Sequence, residues 1–131
     1  MGLKIIATIG VNEGYFHDNK HSINFGTLLQ QTCEDYYKEN SIAVSFILNK
    51  SKAIYLKQHG CPEGGEDTYT LQSVFNPDKF DDLDAWKTAA EEIILKISHR
   101  LKQQTVLIEY LNADIKYCIQ RTEKYNVAQE E

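Results

Sequence analysis

Residues 59–67 read His-Gly-Cys-Pro-Glu-Gly-Gly-Glu-Asp and gather an imidazole (His59), a thiol (Cys61) and three carboxylates (Glu63, Glu66, Asp67) in one short stretch. Its glycines and proline break any regular helix or strand, so these groups sit on a loop. Gly60, Gly64 and Gly65 allow backbone N–H groups to converge on an anion, and Tyr15, Tyr55 and Tyr69 offer ring contacts. Glu63, Glu66 and Asp67 offer general acid or base chemistry if one of them is desolvated, because neighbouring like charges raise a carboxyl pKa. His17 and His21, together with His59, Cys61 and Glu66, are ligand types that a transition metal accepts. Their spacing matches no metal-binding pattern, however, so they are assigned to polar loops and no metal is expected. The acids around Cys61 disfavour a thiolate, which argues against a cysteine nucleophile.

The elements that position this loop follow from periodicity. Leu3, Ile5, Ala7, Ile9 and Val11 alternate with Lys4, Ile6, Thr8 and Gly10, the period of a strand with one buried face. Residues 10–22 form a connection longer than α/β units normally use. Phe25, Leu28, Leu29, Thr32, Cys33 and Tyr36 then lie at helix spacing, with Asn24 as N-cap and Asn40 to close the end. Ile42, Val44, Phe46 and Leu48 resume strand alternation. Residues 49–52 interrupt it before a second strand-like piece at 53–57; the break is either a hairpin turn or a bulge, and the bulge is preferred because the stronger turn signal begins at Gly60. Tyr69, Leu71, Ser73 and Phe75 mark the partner strand. Asp81, Asp82 and Asp84 announce a second helix, whose stripe is Leu83, Trp86, Ala90, Ile93, Ile94, Ile97 and Leu101. Residues 105–111 form the last strand, which residues 113–119 extend or edge.

This order, β-α-β-β-α-β, resembles the ferredoxin-like superfold: an α+β domain with an antiparallel sheet in spatial order 4-1-3-2 and both helices on one face. The resemblance covers residues 3–111, rests on element order and implies no activity. It predicts one domain over residues 1–119 and a polar tail over 120–131. It also places the loop after the first strand at the same end of the sheet as residues 59–67. Asn12, Glu13, Tyr15, His17 and His21 are thereby expected near His59, Cys61, Glu66 and Asp67, joined by the helix exit around Gln103 and Gln104. The expected ligand site is Tyr15, His17, His59, Gly60, Cys61, Glu63, Gly64, Gly65, Glu66 and Asp67, with no catalytic residue and no cofactor assigned.

Bulk properties limit the function. A net charge of −5 argues against a general nucleic-acid binder. No apolar run is long enough to span a bilayer, and three widely spaced cysteines (Cys33, Cys61, Cys118) fit free thiols in a cytoplasmic protein. The leading expectation is a small ligand-binding protein, regulatory or sequestering, that takes an anionic metabolite or nucleotide at residues 59–67. The alternatives are a small metal-dependent or acid/base enzyme using the same loop, and a protein-interaction module. Ile6, Thr8, Ala43, Ser45, Ile47, Thr70, Gln72, Val74, Leu107 and Glu109 fall on the sheet face without helices. They are too aliphatic for a solvated face, which predicts a homodimer or higher symmetric oligomer.

Overall fold

A computed structural model describes residues 2–11, 24–103 and 106–113. Strands β1 (Gly2–Gly10), β2 (Ile47–Ala53), β3 (Glu66–Val74) and β4 (Leu107–Ala113) form one sheet in the order β2-β3-β1-β4. Every neighbouring pair is antiparallel. The chain is therefore an α+β domain with the strand order expected from its sequence. Helix α1 (Phe25–Asn40) joins β1 to β2, and α2 (Leu83–Arg100) joins β3 to β4.

The helices form where their sequences allow capped amphipathic stripes. Asn24 Oδ1 accepts the Thr27 N–H at 3.0 Å and starts α1, which buries Phe25, Leu29, Thr32 and Tyr36. Ser41, not Asn40, takes the left-handed conformation that ends it, at φ 59°, and donates its N–H to the Tyr37 carbonyl. Asn40 instead donates its side-chain amide to the Tyr36 carbonyl. Asp82 caps α2 by accepting the Ala85 N–H at 3.0 Å. That helix buries Trp86, Ala89, Ala90, Ile93, Ile94, Ile97 and Ser98 against Leu3, Ile5, Ala7, Ile9 and Leu71. Removing an isoleucine side chain from water contributes about 1.5–3 kcal/mol, so this layer dominates stability.

Residues 49–52 are neither a hairpin turn nor a bulge. β2 runs unbroken through them, paired in constant register with β3 from Ile47 opposite Gln72 to Ala53 opposite Glu66. The sequence misleads here because β2 is an edge strand: exposed Asn49, Lys50 and Lys52 resemble a turn but suit an unpaired edge, where lysines discourage further strand pairing. The apolar residues before it form no ladder. Val44 packs into the core as part of an extended connector, tied down where Ser73 Oγ donates to the Ser45 carbonyl at 2.6 Å. Residues 54–56 leave the sheet, and Lys57–His59 make one 3-10 turn.

Both helices cover one face of the sheet. The other carries Lys4, Ile6, Thr8, Thr70, Gln72 and Val74, all half-buried, with Ile47, Leu107 and Leu111 exposed at 65%, 61% and 53%. Among the described residues no helix is long and apolar enough to cross a membrane. Cys33 and Cys61 are free thiols; Cys118 lies outside the described residues.

Candidate functional site

Four pieces of chain converge at one end of the sheet. β1 runs out at Gly10, and Val11 donates its N–H to the Asp67 carbonyl at 3.1 Å. β3 starts at Glu66, β2 stops at Ala53 opposite it, and the exit of α2 turns back through Leu101, Lys102 and Gln103, where the Gln103 N–H is accepted by the Ser98 carbonyl at 2.9 Å. Alternation along β3 puts Leu71 and Ser73 under the helices and Glu66 on the open face.

There the Glu66 side chain lies across Gly10. A Cβ on Gly10 would come within 2.5 Å of Glu66 Oε2 and 3.2 Å of Gln103 Oε1, so the bare α-carbon is what admits the carboxylate. Tyr55, just beyond β2, donates its hydroxyl to Glu66 Oε1 at 2.9 Å. Carboxylate, phenol and amide thus gather around one glycine. The neighbouring acids are already matched: Asp67 Oδ1 takes Lys52 Nζ at 2.8 Å, and Glu63 pairs with Lys57 at the exposed loop tip. Both pairs are solvated and add little stability. Glu66 pairs with no cation among the described residues.

The remaining loop residues are occupied by folding the loop itself. The Leu56 carbonyl accepts the N–H of His59 at 2.9 Å and of Cys61 at 3.4 Å, while Lys57 accepts Gly60 at 2.9 Å and Pro62 accepts Gly65 at 3.0 Å. Two of the three glycine N–H groups expected to converge on an anion, those of Gly60 and Gly65, are spent in tight turns. Gly60, Gly64 and Gly65 adopt φ of 100°, 84° and 104°, which is why glycine stands there. Gly65 is doubly constrained, because a Cβ would press on Ile54 Cγ1 at 3.1 Å and on the Ala53 carbonyl at 3.2 Å. Cys61 is buried with Sγ 3.9 Å from the Ala53 carbonyl, a packing role. His59 is exposed.

Of the ten expected ligand residues, Glu66 enters the cluster and Asp67 supports it through its backbone. Tyr15 and His17 lie outside the described residues, as do Asn12, Glu13, His21 and Gln104. Among the described residues no three His, Cys, Asp or Glu side chains come together as a metal site. Gly10 is the contributor that the sequence did not reveal; Tyr55, expected to offer a ring contact, contributes its hydroxyl instead. Tyr69, expected as a ligand contact, stacks on Phe25 in the core at 4.3 Å between ring centroids. The cleft lined by Thr32, Asp35, Glu39, Leu95, Lys96, His99 and Arg100 lies between the helices and includes none of the Glu66 cluster.

A family model described as SAM lyase matches residues 3–119. The chain belongs to the SAM lyase family. Two solved structures share its fold. A phage SAM lyase in its apo state has 12% sequence identity and a TM-score of 0.52, covering 83% of this chain and 78% of that one. A phage SAM lyase in complex with S-methyl-5′-thioadenosine has 12% identity and a TM-score of 0.53, covering 93% of this chain and 92% of that one. Among curated proteins none matches the sequence. SAM lyase family membership supports a small-molecule site, and an enzymatic role in place of the regulatory or sequestering one expected from the sequence.

Proposed function

We propose that this chain binds S-adenosylmethionine and cleaves it as a lyase, releasing S-methyl-5′-thioadenosine, with Glu66 facing the substrate's positive charge. The carrying observation is the half-buried Glu66 carboxylate, hydrogen-bonded by Tyr55 and laid across Gly10, in a chain matched by the SAM lyase family model. The substrate has two cationic centres, a sulfonium and an α-ammonium, and Glu66 complements either. The bond that breaks joins sulfur to the γ-carbon of the amino-acid chain, and sulfur departs with the electron pair as a neutral thioether. The four-carbon remainder then balances in one of two ways. Its own carboxylate closes on the γ-carbon to give a lactone, or the β-carbon loses a proton and an alkene forms. Neither consumes water. In the first route Glu66 holds the ammonium and orients the carboxylate for attack; in the second it receives the β-proton. Chromatography and mass spectrometry of S-adenosylmethionine incubated with the protein test this reading. S-methyl-5′-thioadenosine and one of the two remainders are expected, and no thioether product from the wild type rejects it. Glu66→Gln, with an unchanged melting curve, should lower turnover by about 10²-fold or more; full activity in that variant removes Glu66 from the chemistry.

The open sheet face supports a second proposal, a homodimer or higher symmetric oligomer. Ile47, Leu107 and Leu111 stand more than half exposed on a face without helices, and burial against a symmetry mate would cover them. Sedimentation of the wild type beside Ile47→Lys is the test. A wild type that stays monomeric at high micromolar concentration rejects the oligomer; a folded, dissociated variant places the contact on this face. The free thiols Cys33 and Cys61 support a cytoplasmic setting.

A further inference from the structure

Three hydroxyls lie beside Glu66 on the open face. Glu66, Thr68 and Thr70 occupy alternate positions of β3 and share that face, and β2 sets Ser51 opposite Thr68. Ser51 Oγ is 2.7 Å from Thr68 Oγ1 and 2.8 Å from Thr70 Oγ1. Thr68 is only 4% exposed, whereas Ser51 and Thr70 are half-buried, so the trio is anchored in the sheet and reaches its surface.

Counting protons shows what the trio offers. It has three O–H groups and two internal contacts, and Ser51, in the middle, can donate to only one neighbour. Whichever way the bonds run, one O–H and several lone pairs remain. If Thr68 donates to Ser51 and Ser51 to Thr70, the spare proton is on Thr70; reversing the chain puts it on Thr68; if both threonines donate, it is on Ser51. Cross-strand hydroxyl pairs stabilise a sheet on their own, but a single pair suffices for that. A reversible trio with both a donor and acceptors to spare fits a group that likewise donates and accepts, which is a vicinal diol. It suits a carboxylate poorly, since that needs donors alone, and an ammonium poorly, since that supplies donors alone. Glu66 is left for the cation, its α-carbon about 6.6 Å from that of Thr68.

We propose that Ser51, Thr68 and Thr70 form the subsite for the ribose diol of the 5′-thioadenosine half of the substrate, with Glu66 facing the cationic half. This rests on the SAM lyase reading and deepens it. Calorimetric titration of S-methyl-5′-thioadenosine and its 2′-deoxy and 3′-deoxy analogues into wild type, Ser51→Ala and Thr70→Val tests it. The wild type should prefer the ribose ligand to at least one deoxy analogue by roughly 10-fold, the scale of one hydrogen bond. Each variant should weaken the ribose ligand by about 5-fold to 10-fold, leave that deoxy analogue unchanged and so erase the preference. Thr70→Ser, which keeps the hydroxyl, should restore it, separating recognition from any loss of stability. Equal weakening of ribose and deoxy ligands, or an undiminished preference, overturns the inference while leaving the lyase reading intact. A wild type that neither binds the thioether nor forms it from S-adenosylmethionine sinks both.

Discussion

Replacing Gly10 by alanine adds one methyl group at the point where the Glu66 carboxylate rests. The new Cβ would stand 2.5 Å from Glu66 Oε2 and 3.2 Å from Gln103 Oε1. A carbon and an oxygen do not approach so closely without bonding, so the flexible carboxylate must retreat by about 1 Å to regain ordinary contact. That shift strains or breaks the 2.9 Å bond from the Tyr55 hydroxyl. A misplacement of about 1 Å at a reacting or orienting group costs on the order of 10²-fold in rate, or about 2.7 kcal/mol of barrier. Stability should hardly move. The Tyr55–Glu66 bond is solvent-accessible and water replaces it, while alanine for glycine in a strand recovers about 0.4–1 kcal/mol of chain entropy. The expectation for Gly10→Ala is therefore kcat/KM lowered about 100-fold, measured as S-methyl-5′-thioadenosine formed, with a melting temperature within about 4 °C of wild type. Near wild-type turnover in a folded Gly10→Ala protein would refute the claim that Glu66 works from its seat on Gly10.

Two further outcomes follow from burial. Ile94 is fully buried, so Ile94→Ala should lose about 2–5 kcal/mol in urea titration, and Ile94→Asp, which leaves an unpaired charge in the core, should not fold. A soluble Ile94→Asp protein with a cooperative melt would mean that α2 packs by another face. Burial, with the charge of Glu34 as a lesser cause, pushes the Cys33 thiol up to about 11 from its ordinary 9.0. The folded state then holds this proton more tightly than the unfolded state. Its contribution is complete below pH 9 and is lost as pH rises toward about 11. Wild type should thus lose stability faster than Cys33→Ser between those pH values, and parallel curves would contradict the assignment.

What was legible in the sequence is what periodicity and strong caps dictate. The alternation of Leu3 to Ile9, the stripe from Leu83 to Leu101, and Asn24 and Asp82 as caps each produced the expected element, and element order led to the sheet order. Periodicity places β2 too early because it measures burial, which the ladder does not need. The apolar residues Val44 and Phe46 pack against the core without pairing, while polar Asn49 to Lys52 carry the pairing at a solvent-exposed edge. Loop positions are harder to read. The N–H groups of His59, Gly60 and Gly65 close the loop's own turns and Glu63 pairs with Lys57 at its surface, uses that residue types do not announce.

Glu66 could be picked out among three carboxylates only once the other two were seen to be paired, and Gly10 contributes by what it lacks, which no residue type announces. The proposed reaction adds a chemical reason for the missing signature. A sulfonium is already an activated leaving group, and the attacking or departing group belongs to the substrate itself. Such a cleavage asks the protein for neither a metal-held water nor an activated serine or cysteine, the devices whose spacing leaves recognisable strings. It asks for a cation partner, an orienting surface and room for the carboxylate to move into place. In that reading these needs fall to Glu66 on one strand, Tyr55 beyond a second and Gly10 at the end of a third, with Tyr55 and Glu66 lying 45 and 56 residues beyond Gly10 in the chain. Only the antiparallel pairing of β1, β2 and β3 brings them together. A site built on register in this way stays silent in the linear sequence, and its parts should therefore fail together when register is disturbed and singly when Gly10, Tyr55 or Glu66 is changed.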